Sequence, residues 1–182
     1  MLRLVVPARE FYDEAREEFV EVKEQTLLME HSLISISKWE AKWQKPYLSD
    51  EKKTLEEILD YFRCMTVTPS NVDPLVYKAL SAENIEAISD YINNPMTATT
   101  ICDIKHAGRK KEVLTSEVIY YYMIVQNIPV EFEKWHINRL ITLIKVCAIK
   151  NDPNPKKMSR SAIAKQNRAL NAARRKKYGT RG

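Results

Sequence analysis

The chain has 182 residues, 45% hydrophobic and 29% charged, with only three glycines and three cysteines. These values exclude a disordered chain, a collagen-like repeat and a disulfide scaffold, and they favour helix over a turn-rich β-sandwich. The charge is sorted by position: residues 151–182 hold ten Lys or Arg against one acid, a net +9, while residues 1–150 hold nineteen bases against twenty-three acids, a net −4.

Leu2 to Val6 is short and β-branched, and apolar and charged residues alternate from Phe19 to Lys23 before a second apolar group at Leu27, Leu28 and Met29. This period-2 pattern predicts two or three strands. Ser32 is placed to cap a helix whose apolar face, Leu33, Ile36, Trp39 and Trp43, falls within an arc of about 120°, and Pro46 is expected to end it. Thr54 and Glu57 form a capping box that opens a second helix running to Cys64. A loop from Pro69 to Pro74 leads to a short helix at Leu75–Ala79 and another at Ala82–Ile92, stopped by Asn93, Asn94 and Pro95.

Threonine-rich Met96–Ile104 predicts a strand leading into a turn at His106–Lys111. Thr115 or Ser116 caps an apolar helix over Val118–Val125; its three consecutive tyrosines cannot all face inward, so at least one is expected at the rim. Glu131–Ile149 predicts one long helix. Its wide apolar face, including Ile137, Leu140, Ile141, Leu143 and Ile144, marks it as a central core element. Pro153 and Pro155 make residues 151–158 a linker. Ser159–Lys177 has good helix propensity but a thin stripe of Ala162, Ile163, Ala169, Leu170 and Ala173, so such a helix gains order by docking. The expected organisation is a body over 1–150, a Pro-rich linker over 151–158 and a basic helix or tail over 159–182. The fold class is α+β, predominantly helical, with a small N-terminal β element.

Chemistry is sparse. Gly108, Gly179 and Gly182 are too scattered for a phosphate-cradling loop or a nucleophile elbow. Cys102 and His106 lack the second ligand pair that a zinc site needs, and widely spaced Cys64, Cys102 and Cys147 read as reduced thiols. His31, beside the cap of the first helix, reads as a first-turn or boundary residue, and His136 as a satisfied or half-exposed residue at the core edge rather than a base. The carboxylates Glu14, Glu17 and Glu18, and Glu56, Glu57 and Asp60, read as solvated faces. Trp39, Trp43 and Trp135 read as core rather than as a stacking platform for bases. No catalytic residue, cofactor or metal is expected, and the chain is not read as an enzyme. The N-terminus lacks the pattern of a secretory signal, and no window approaches the ~18 unbroken apolar residues of a membrane span.

What remains is the tail. Lys156, Lys157, Arg160, Lys165, Arg168, Arg174, Arg175, Lys176, Lys177 and Arg181 are the expected partner-binding residues. A smaller basic loop, Lys105, Arg109, Lys110 and Lys111, reads first as a solvated turn and second as a further anionic contact.

The strings HSLISISKWEAKW at 31–43, DYFRCMTVTP at 60–69, NIPVEFEKWHINRLITLIKVC at 127–147 and NRALNAARRKKYGTRG at 167–182 resemble those of phage tail assembly chaperones, particularly from siphophages of Gram-positive hosts. The resemblance implies a non-enzymatic protein of the host cytoplasm that keeps the tape measure protein soluble, helps recruit tail tube protein around it and leaves before the tail is complete. A helical partner would need an apolar surface near the central helix and charge to set register and on-rate. Two alternatives stand beside it: a nucleic-acid-binding protein that uses the basic tail, and a structural head or tail component of the virion. Self-association is a further expectation, and a membrane partner is not.

Overall fold

The computed structural model describes residues 1–13, 17–99, 101, 113–153, 164, 167–172, 174–175 and 179. The chain divides into two compact units, Met1–Ala148 and Ile149–Gly182. The fold is α+β and helix-rich, with the strands gathered near the N-terminus.

In the first unit, β1 (Leu2–Val6), β4 (Gln25–Met29) and β5 (Thr66–Thr68) form an antiparallel sheet in the order β1-β4-β5, and β2 (Arg9–Asp13) and β3 (Glu18–Val22) form a separate two-stranded ribbon. Strand alternation decides which side chains meet the core: Leu4 and Val6 of β1 and Leu27 and Met29 of β4 are buried, and their neighbours in sequence are less so. Four strands therefore precede the first helix, where two or three were expected. The extra one is β2, whose sequence REFYD carries charge on both faces and so hides its period. Strand β5 was not expected either, because it is three residues long and follows directly on the end of a helix.

The helices α1 (Leu33–Trp43), α2 (Leu55–Met65), α3 (Pro74–Lys78), α4 (Ala82–Asn93), α5 (Ser116–Val125) and α6 (Ile137–Lys150) follow. Their starts are set by side chains that satisfy orphan backbone donors. The Ser32 hydroxyl accepts from the Ser35 N–H, and Ser35 Oγ accepts from the Ser32 N–H at 2.8 Å. Thr54 and Glu57 do the same for α2, with the Thr54 N–H donating to Glu57 Oε2 at 2.7 Å. Asp73, Ser81 and Thr115 cap α3, α4 and α5. Helix α1 stops before Pro46, at Gln44, whose φ of 53° is left-handed.

Two expected elements differ. Residues 131–149 are not one helix: Val130–Lys134 is a 3-10 turn, Trp135 is extended, and α6 begins only at Ile137. Tertiary pairing breaks the helix, because His136 forms an antiparallel bridge with Ser32 and the Ile137 N–H donates to the His31 carbonyl at 2.7 Å. Nor is α6 central, since it buries Ile137, Leu140 and Ile144 along one face and leaves Ile141, Leu143, Val146 and Cys147 only partly covered. Met96–Thr99 is not a strand either. Met96 has φ 50°, and Asn94 and Thr97 side chains accept from the N–H groups of Met96 and Thr99, giving the backbone a local alternative to a ladder. Residues 102–112, which include the rest of that expected strand and the basic turn, lie outside the described residues.

The core gathers the inner faces of β1 and β4 with Leu33, Ile36 and Trp39 of α1, Tyr61 and Met65 of α2, Ile88 of α4 and Ile119 of α5. In the second unit the backbone is helical at Ala164, at 167–172 and at 174–175. There every described side chain is exposed except the partly covered Leu170.

Candidate partner-binding surface

Helix α5 reads SEVIYYYMIV and needs only one buried face. Ser116, Ile119 and Met123, at helical spacing, supply it. Apart from Glu117 the remaining positions are apolar or aromatic as well, and Tyr121 is 60%, Ile124 74% and Val125 52% exposed. The helix ends in a Schellman motif: Asn127 adopts a left-handed φ of 53°, its N–H donates to the Ile124 carbonyl, and the Ile128 N–H donates to the Met123 carbonyl at 2.8 Å. That reversal delivers Val130, 58% exposed, into the following 3-10 turn. The turn is tied back to the helix where the Tyr120 hydroxyl donates to Glu133 Oε2 at 2.7 Å. Burial, with the adjoining carboxylate, raises the Tyr120 pKa and keeps that donor protonated.

The opposite end of α5 is held by a buried carboxylate. Glu40 of α1 accepts from the Ser116 N–H at 2.7 Å and from the Tyr47 N–H at 2.8 Å. A charge at a helix N-terminus with two backbone donors is a strong anchor. The sequence contained the signal: Glu40 sits seven residues after Leu33 and four after Ile36, on the apolar stripe of its own helix.

Beside the 3-10 turn, Phe132 and Trp135 stack at 4.2 Å, and the Arg139 guanidinium lies 3.9 Å from the Trp135 ring centre. Trp135 is only partly buried. Of the three tryptophans Trp39 alone is fully in the core, donating to the Glu57 carbonyl at 2.8 Å, while Trp43, partly covered, donates to Asp60 Oδ2 at 2.9 Å. One tyrosine of the triplet, Tyr121, lies at the surface.

The carboxylates expected to be solvated are not all so. Glu57 and Asp60 are buried, because both sit on the side of α2 that faces α1 and its cations. Lys45 Nζ lies 2.6 Å from Glu57, and its hydrogen bond holds that carboxyl below its ordinary range. Burial pushes Asp60 up, but hydrogen bonds from Arg63 at 2.8 Å, Lys42 at 2.9 Å and Trp43 outweigh it and leave its pKa lowered.

The histidines are satisfied core residues. His136 Nε2 donates to the Tyr91 carbonyl at 2.9 Å and Nδ1 accepts from the Asn138 N–H, which fixes the neutral tautomer. Burial lowers its pKa. His31 is hydrogen-bonded to the Tyr61 hydroxyl and lies edge-on to His136 with ring centres 5.1 Å apart. Burial, and then the proximity of His136, bring it down to about 3.

A hollow of about 610 Å³ is lined by Lys38, Arg63, Cys64 and Tyr77 among others. Burial raises the Cys64 thiol pKa, which makes it a poor nucleophile. Among the described residues no group of three or more His, Cys, Asp or Glu is placed to hold a metal, and no helix is long and apolar enough to cross a membrane.

Of the expected partner-binding residues, Arg168, Arg174 and Arg175 lie exposed on helical backbone in the second unit. Lys156, Lys157, Arg160, Lys165, Lys176, Lys177 and Arg181, together with the loop residues Lys105, Arg109, Lys110 and Lys111, lie outside the described residues. Comparison with protein-family models, with curated proteins and with solved structures returns no match to this chain.

Proposed function

We propose that this protein is a non-enzymatic phage tail assembly chaperone of the host cytoplasm that binds the tape measure protein and assists assembly of the tail tube around it. The observation that carries the reading is the exposed apolar end of α5, Tyr121, Ile124, Val125 and Val130, held in place by Glu40 at one end and by the Tyr120–Glu133 hydrogen bond at the other. Four large apolar side chains at the surface of a helix and its following turn suit an amphipathic partner helix, which would lay its own apolar face there. The exposed Arg168, Arg174 and Arg175 suit acidic positions on the same partner and would set encounter rate more than affinity.

The test is co-purification of the tape measure protein with the intact chain and with Ile124→Asp/Val130→Asp. Both positions are exposed, so the variant should keep its urea midpoint while losing at least about tenfold in affinity, or about 1.4 kcal/mol. Unchanged co-purification would remove the α5 surface from the account. A second reading, nucleic-acid binding, draws on the same exposed arginines. It requires a mobility shift with DNA or RNA that weakens steeply with salt, and absence of a shift even at ~50 mM salt would eliminate it.

A further inference from the structure

The hollow of about 610 Å³ lies within the first unit, where the last turn of α2 passes through β5 into the loop before α3, beside α1. Its volume is in the range of small-molecule sites. Its walls include Lys38 of α1, Arg63 and Cys64 of α2, and Ser70, Asn71 and Asp73 of the loop.

The cations here exceed what the fold uses. Asp60 Oδ1 takes both Arg63 Nε at 2.8 Å and Lys42 Nζ at 2.9 Å, and the Trp43 indole donates to Oδ2. Lys38 stands one turn before Lys42 on α1 and has no hydrogen-bond or ion-pair partner among the described residues. Like charges four residues apart on a helix are destabilising, so folding alone gives no reason for Lys38 beside Lys42. The Arg63 fork is only partly used: away from Asp60, Nη2 meets the Cys64 sulfur at 3.8 Å, a weak acceptor. Burial raises the Cys64 pKa, but Arg63, Lys38 and Lys42 each pull it down, so the three cations gather around one buried thiol in the wall of the hollow. Asp73, the one carboxylate among the described lining residues, is engaged by the first turn of α3, where its Oδ1 accepts from the Leu75 N–H at 2.9 Å. The side chains of Ser70 and Asn71 are exposed.

We propose that this hollow binds the phosphate group of a small molecule, held by the Arg63 guanidinium and the Lys38 ammonium, with the Ser70 hydroxyl and the Asn71 amide as neutral donors. A phosphate offers acceptor oxygens in several directions to donors that come from two helices and a loop, where a carboxylate offers two in one plane. Free phosphate and a small phosphate ester share this chemistry, and the volume leaves room for an organic remainder. The site is independent of the α5 surface and of the partner that surface takes.

Nuclear magnetic resonance titration of the isotope-labelled full chain with inorganic phosphate, glycerol phosphate and citrate, at constant ionic strength, tests this. Saturable shifts of the Cys64, Ser70 and Asn71 amide signals with the phosphate compounds are expected. Tighter binding of glycerol phosphate assigns the site to esters, and tighter binding of inorganic phosphate assigns it to the free ion. Lys38 is exposed, so Lys38→Gln should keep the dispersion of the spectrum while raising Kd for the phosphate compounds at least about tenfold. Ser70→Ala/Asn71→Ala should weaken binding in the same direction. Absence of saturation at those amides by ~10 mM overturns the proposal. So do shifts confined to residues 151–182, an unchanged Kd in Lys38→Gln, or citrate binding as tightly as either phosphate compound.

Discussion

Glu40 shows how much one buried side chain can organise. Its carboxylate joins α1, the Tyr47 segment and the first turn of α5 through two backbone donors. Glu40→Ala leaves both donors without their acceptor in a buried setting, and hydrogen bonds to charged groups contribute about 1.5–3 kcal/mol each. The expected loss is about 3 kcal/mol, or roughly 6–12 °C in Tm for a body of this size, measured by calorimetry; a loss below about 0.5 kcal/mol, the range of an ordinary surface substitution, would contradict it. His31 makes the complementary prediction with pH. Its folded pKa of about 3 lies below the ordinary value of 6.5, so the unfolded chain binds the extra proton first. Its stabilising contribution is full above pH 6.5 and is lost as pH falls toward 3, at up to about 1.4 kcal/mol per pH unit. Between pH 6.5 and 5 the wild-type urea midpoint should fall and that of His31→Phe should fall less. Parallel slopes for the two proteins would refute the assignment. The burial of His31 was not legible, because its position beside the cap of α1 reads as a boundary, and nor was that of Glu57 and Asp60, because Lys42 and Lys45, which pair with them alongside Arg63, come from α1 and the segment after it.

Local chemistry fixed the ends of the elements more reliably than it fixed their number. Ser32, Thr54 and Thr115 were readable as caps because a hydroxyl can satisfy an orphan amide without help from the rest of the fold. The break at Trp135 was not readable, since it depends on His136 pairing with Ser32, more than a hundred residues away. The Schellman turn after α5 falls between these cases: Asn127 tolerates the left-handed conformation, and a β-branched residue does not. Asn127→Val should cost about 1–2 kcal/mol in urea denaturation while Asn127→Gly stays near wild type. If both variants were equally stable, the turn would not be fixing the end of α5. The apolar character of α5 was visible in sequence, but which of its faces stayed uncovered was not, because that required knowing that α1 packs on only one of them.

At the scale of the whole molecule the proposed function rests on two separate features, an apolar surface on α5 and a cationic second unit. The uneven charge of the chain was legible from the sequence; that Tyr12 and Phe19 lie opposite one another as an exposed pair became clear only from the strand register. The tail stands out in sequence by its charge, whereas Ile124 and Val125 at the exposed end of α5 have the residue types of ordinary core, and only a tyrosine of that helix was expected at the rim. The most direct test is the soluble fraction of the tape measure protein when it is co-expressed with the intact chain or with Ile124→Asp/Val130→Asp. The account predicts a soluble tape measure protein with the intact chain and an insoluble one with the folded variant. Equal solubility with both would contradict it.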